Sequence, residues 1–258
     1  MRNTAPGTPC VDGIKLHWSS TGQGPRTVIL VHGWTCDDTT WKPQIPALAR
    51  DYRVLTLDLP GHGKSDPPMD GKLSMDLFAR AVESVRREAG ADRVVLVGHS
   101  MGTPVIVQYA RLFPRHVSAM VFVDGVVRIP NMGPIARLPG LLVALPALRK
   151  AMIRSTFSSS TTPDTRKHIL SMMMGTPTPT AVGAMNATFD PAIWKGDVVT
   201  QPVLGLYAER FRHNREYIKT HFPNLEYVEI VGTGHFPMLE QPDEFNQLLL
   251  EFLSKQTF

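Results

Sequence analysis

Cysteine is scarce: Cys10 and Cys36 are the two in 258 residues. Neither sits in a metal-like or redox spacing, so a disulfide scaffold and a cysteine-built zinc site are excluded. Two free thiols in a reducing, cytoplasmic setting are the expectation. No apolar stretch approaches the roughly 18 residues of a membrane span, so no membrane partner is expected. MRNTAPGTPCVDG at the start carries turn formers where a secretory signal needs an apolar core. Charge is sparse too, at 19% of residues with a net +4. Its basic residues are scattered, with Arg86-Arg87, Arg149-Lys150 and Arg166-Lys167 as isolated pairs. A nucleic-acid partner is therefore not expected, because tracking phosphates needs clustered cations. Internal repeats are absent, and the Ser-Thr run 155–162 is a loop too short to act as a disordered segment.

What is present is an apolar fraction of 43%, enough for one sizeable core. RTVILVHG (26–33), YRVLTLDLPGHG (52–63), DRVVLVGHSMG (92–102) and VSAMVFVDG (117–125) are β-branched runs broken by glycine or proline. Such continuous runs are expected of strands buried on both faces. Between them, 73–90 and 103–114 carry helical spacing, with Gly90 and Pro114 as stop signals. Strands separated by helices imply parallel pairing with helices on both sides of the sheet. The alternation stops over 126–200, which reads as short helices without a buried strand. LPGLLVALPALRKAMI (138–153) is strongly apolar, but Pro139 and Pro146 interrupt it. PVLGLY (202–207), LEYVEIVG (225–232) and a closing helix over 243–255 resume the pattern. The expected organisation is a core of 1–125 and 201–258 with 126–200 inserted as a helical unit.

Chemistry concentrates in VVLVGHSMGT. A buried strand runs into Gly98-His99-Ser100-Met101-Gly102 and directly on into a helix. Small residues two places either side of a serine permit a sharp crossing that lifts its hydroxyl above the sheet. Ser100 is the candidate nucleophile; the plainer reading is a structural turn serine. A serine needs a base, and nine histidines are present. His32 and His62 read as loop-shaping, and His99 points along a different face from its neighbouring serine. His235, in VEIVGTGHFPMLEQP, follows a strand and precedes the last helix, at the same sheet edge as Ser100. It is the candidate base. Oxyanion donors are expected from the backbone N–H groups of Trp34, in VHGWT, and Met101, unless the His-Gly pair merely makes the turn.

These stretches, VHGW, DLPGHGKSD, VGHSMG and GTGHFPMLEQP, resemble the α/β-hydrolase superfamily in order and spacing over nearly the whole chain. The resemblance implies a doubly wound, mostly parallel eight-stranded sheet, with 126–200 as a helical cap over the site. It also implies a triad in the order serine, acid, histidine, and no cofactor or metal. Ser100 argues against the branches with an aspartate nucleophile, the haloalkane dehalogenases and epoxide hydrolases. Similar proteins usually carry the acid as Gly-x-x-Asp after the strand matched by PVLGLY, where this chain has Phe211. Asp124, at the end of VSAMVFVDG, is the favoured acid, with Glu209 in reserve and a weakened or missing acid as a third option. Asp58 reads as scaffold.

Trp34, Phe236, Met172, Met173 and Met185 are candidate pocket residues, although methionines there could serve packing alone. The expected activity is cofactor-free cleavage of carboxylic esters with an apolar acyl or aromatic group. Carbon–carbon hydrolysis, lyase or cofactor-free oxygenase chemistry is the alternative, and a non-catalytic ligand-binding module a more distant one.

Overall fold

A computed structural model describes residues 7–128, 133–208 and 215–257. Nine strands lie among the described residues: β1 (Cys10–Val11), β2 (Ile14–Lys15), β3 (Trp18–Thr21), β4 (Thr27–Val31), β5 (Arg53–Leu57), β6 (Val94–His99), β7 (Val117–Val123), β8 (Val203–Ala208) and β9 (Leu225–Ile230). Seven form one sheet in the order β3-β5-β4-β6-β7-β8-β9, parallel throughout except for β3 against β5. Every residue of β4, β6, β7 and β8 is buried, as unbroken apolar runs require of strands covered on both faces.

The expected eighth strand is not in this sheet. Among the described residues the sheet has seven strands, and β1 and β2 pair with each other as a separate hairpin, Cys10 opposite Lys15. Asp12 and Gly13 turn it with φ of 50° and 81°, the left-handed pair that a two-residue hairpin demands.

The helices of the core are α1 (Gln44–Leu48), α2 (Met75–Glu88) and α3 (Gly102–Leu112). Between β7 and β8 the chain forms α4 (Leu138–Val143), α5 (Pro146–Arg154), α6 (Pro163–Gly175) and α7 (Thr178–Thr188), with no strand among the described residues. After β8 come α8 (Arg215–His221), α9 (Pro237–Glu240) and α10 (Pro242–Ser254). α2 starts where Ser74 accepts the Leu77 N–H, and α6 where Thr162 accepts that of Thr165. The prolines expected to interrupt 138–153 act as helix openers: Pro139 lies in the first turn of α4 and Pro146 begins α5. α2 packs on α3 as one layer and α1 on α10 as another. Among the described residues no helix is long and apolar enough to cross a membrane.

The sheet order puts the site at a switch point. From β4 the chain steps outward to β5, then crosses back to β6 on the other side of β4. Loops leaving β4 and β6 therefore diverge, opening a crevice at their carboxyl ends.

Candidate active site

Ser100 stands where β6 turns into α3. Its φ is 52°, a left-handed value unusual for a residue with a Cβ. The turn is held by the Ser100 N–H donating to Val123 O at 2.9 Å and the Thr103 N–H to Ser100 O at 3.0 Å. Strand and helix cross so closely that a Cβ on Gly98 would run into the Gly102 carbonyl, and one on Gly102 into the Val31 carbonyl. Both glycines are thus required by contact.

The Ser100 hydroxyl donates to His235 Nε2 at 2.8 Å, and His235 Nδ1–H donates to Asp124 Oδ2 at 2.6 Å. A carboxylate facing Nδ1 holds the proton there and leaves Nε2 as the acceptor that a serine needs. Asp124 ends β7 with φ of 44°, and its side chain is wholly buried. Its N–H donates to Leu206 O and its Oδ1 accepts the Ala208 N–H at 3.0 Å, so β8 fixes the carboxylate from the side. The three sequence candidates are brought together. Glu209, the reserve acid, and Phe211 lie outside the described residues.

His235 sits on the loop between β9 and α9. Its N–H donates to Thr156 O at 3.0 Å, on the loop after α5. The neighbouring Gly234 N–H and the hydroxyls of Ser158 and Ser160 all donate to Glu240 Oε2. Glu240 and the Ser-Thr run thus tether the histidine loop, a connection that sequence reasoning missed. A carboxylate five residues after His235 was its one legible sign.

His99 lies beneath the serine, fully buried. Its Nε2–H donates to the His235 carbonyl at 2.7 Å, and its ring packs at 4.8 Å from both the His235 and Phe236 rings. Burial, with His235 nearby, pushes its pKa well below the ordinary histidine value. It is a neutral prop, not a second base. His32 and His62 also shape loops: His32 Nδ1–H donates to Gly33 O and Nε2 accepts the Leu59 N–H. Burial, then the neighbouring His32, brings His62 down to about 3. Asp58 is scaffold as expected, its two oxygens accepting the N–H groups of Asp38 and Lys64 at 2.8 Å.

Trp34 and Met101 flank the serine, Trp34 just beyond β4 and Met101 at the mouth of α3. Neither backbone N–H has a hydrogen-bond partner among the described residues. Both residues line a cavity of about 560 Å³ that also contains Ser100, Asp124 and His235. Met173, Met185 and Phe236 line it as expected. Met172 does not: its sulfur faces away, accepting the Thr40 hydroxyl at 3.4 Å. Successive helical residues differ by about 100° in direction, so adjacent methionines cannot share one face. Leu142, Val143, Met152 and Phe189 complete the apolar wall, and no lysine or arginine is among the described lining.

Metal-ligand side chains come together among the described residues at His17, Asp38 and Asp58. Asp58 spends its oxygens on backbone N–H groups, and His17 Nε2 lies 3.6 Å from the Asp38 carboxylate. That cluster braces a loop, and none of its three residues lines the cavity.

The model of the alpha/beta hydrolase family matches residues 28–248. An uncharacterized protein of Mycobacterium tuberculosis is 27% identical, over 98% of this chain and 83% of its own length. A 2-hydroxy-6-oxononadienedioate/2-hydroxy-6-oxononatrienedioate hydrolase of Dechloromonas aromatica is 28% identical, over 93% of this chain and 91% of its own. The solved structure of a thermophilic esterase from Thermogutta terrifontis superposes with a TM-score of 0.84 at 26% identity, covering 96% of both chains.

Proposed function

The chain belongs to the alpha/beta hydrolase family, and from that premise we propose that it is a serine hydrolase of neutral, apolar carboxylic esters. The observation that carries the reading is the Ser100–His235–Asp124 hydrogen-bonded chain opening into a cavity without a cation in its described lining.

In this mechanism Ser100 Oγ attacks the ester carbonyl carbon as its proton passes to His235 Nε2. The new imidazolium is stabilised by Asp124, which keeps its negative charge. The carbonyl oxygen becomes an oxyanion held by the Trp34 and Met101 N–H groups, each contributing about 3 kcal/mol in comparable sites. As the carbonyl re-forms, the C–O bond to the alcohol breaks and the alcohol leaves with the proton from His235. Water then attacks the acyl-enzyme, giving its proton to His235. Collapse frees the carboxylic acid and returns the proton to Ser100 Oγ. The insertion over 126–200 acts as the cap, supplying the apolar wall that receives the acyl or aromatic group.

The Dechloromonas relative's name supports the second reading, carbon–carbon hydrolysis. A dienedioate carries two carboxylates, and burying one without a cation or a set of donors is costly. The described lining offers no lysine or arginine, which favours the neutral ester. The test compares turnover of p-nitrophenyl butyrate with turnover of 2-hydroxy-6-oxononadienedioate by one preparation. Ester cleavage with an inert dienedioate is expected; the opposite preference would replace this reading with the carbon–carbon one.

A further inference from the structure

The loop carrying Trp34 is held from within, by the Cys36 N–H donating to Gly33 O at 3.2 Å, and from outside by the helical insertion. Thr35 has φ of 55°, a conformation that a β-branched residue adopts only when its surroundings impose it. Two of the bonds that hold it come from the helical insertion. The Thr176 hydroxyl, between α6 and α7, donates to Thr35 O at 2.9 Å. The Trp34 indole N–H donates to Ala181 O, in α7, at 2.8 Å. The Thr35 hydroxyl closes the arrangement by donating to Trp34 O at 2.8 Å. Trp34, Thr35, Thr176 and Ala181 are all buried, so water cannot replace a lost partner cheaply.

We propose that Thr176 and the Ala181 carbonyl are positioning groups for the oxyanion site, through which the helical insertion sets the direction of the Trp34 backbone N–H. This rests on the ester-hydrolase reading, since it presumes that this N–H meets an oxyanion. The insertion then does more than wall the cavity. Through the strained Thr35 it holds the neighbouring Trp34 N–H in the orientation that stabilises charge in the transition state. Such a group changes kcat and leaves ground-state binding nearly alone, because the oxyanion exists only in the transition state.

The test uses Thr176→Val, which keeps the branched shape and deletes the hydroxyl, beside Thr176→Ser, which keeps the donor. kcat and KM are measured for p-nitrophenyl butyrate, together with inhibition by butylboronic acid, whose tetrahedral serine adduct mimics the intermediate. Thr176→Val should lower kcat about tenfold or more and weaken boronate inhibition comparably, with KM within about twofold, as expected when a donor is misaimed. Thr176→Ser should stay within about threefold of the parent. Trp34→Phe, which removes the link to Ala181 but retains the backbone N–H, should repeat the loss of kcat and of boronate affinity, and serves if Thr176→Val does not fold. Parental kcat and boronate affinity in Thr176→Val, or in Trp34→Phe where that variant stands in, or equal damage in Thr176→Ser, would overturn the proposal and leave the ester reading intact. Absence of ester turnover in the parent would overturn the ester reading, and this inference with it.

Discussion

Asp124 shows what one residue contributes once the chain is folded. Its carboxylate is divided between His235 on one oxygen and the β8 backbone on the other, so it orients the imidazole without freedom to rotate. Asp124→Asn should present an amide to Nδ1 and favour the wrong tautomer. A loss of kcat of about a thousandfold or more is expected by steady-state assay, with little change in KM. Glu209→Gln should be nearly silent; the reverse pattern would move the acid to Glu209. The two thiols form a second test at this scale. Cys10 is exposed, whereas burial raises the Cys36 pKa to about 12 and removes the reactive thiolate. Iodoacetamide at neutral pH should alkylate Cys10 in the native protein and Cys36 only after denaturation, as read by peptide mass mapping. Fast native labelling of Cys36 would contradict its burial.

At the scale of the element, what the sequence revealed and what it hid have different physical origins. The β6–Ser100–α3 unit was legible because its glycines, its apolar run and its helix are contiguous. α6 covers the run PDTRKHILSMMMG, opened by the Thr162 cap with Pro163 in its first turn. Asp124 was reachable because its strand is itself an unbroken apolar run. The short, half-exposed β3 and the two-residue strands β1 and β2 carried no such signal. Links between distant loops were invisible, since nothing near Thr176 in sequence announces Thr35, and nothing near Ser158 announces Glu240. Glu240 tests that tier: Glu240→Ala removes the acceptor shared by Gly234, Ser158 and Ser160. A loss of about 2–3 kcal/mol in urea unfolding is expected, with reduced activity from a loosened His235 loop. Unchanged stability would show the tether to be idle.

For the whole molecule, two neutral buried histidines make stability depend on pH. His62, near 3, and His99, well below its ordinary value, take up protons near pH 6.5 only when unfolded. The unfolded chain binds more protons below that value, so stability is complete above it and falls as pH falls. Two such groups give a slope of up to about 2.7 kcal/mol per pH unit until His62 titrates in the folded state. The part-buried Asp38, raised by burial and Asp58, opposes this. The melting temperature should therefore drop steadily from pH 7 to pH 4.5, and a flat profile would contradict neutral burial of both rings. A sheet switch point, a serine on a strained turn and a helical insertion meet around one apolar cavity. The nucleophile is tested by incubating the parent and Ser100→Ala with a fluorophosphonate probe and locating the adduct. Stoichiometric labelling of Ser100 with loss of p-nitrophenyl butyrate turnover is expected in the parent, and neither labelling nor turnover in Ser100→Ala. Retained labelling and turnover in Ser100→Ala would contradict Ser100 as the nucleophile.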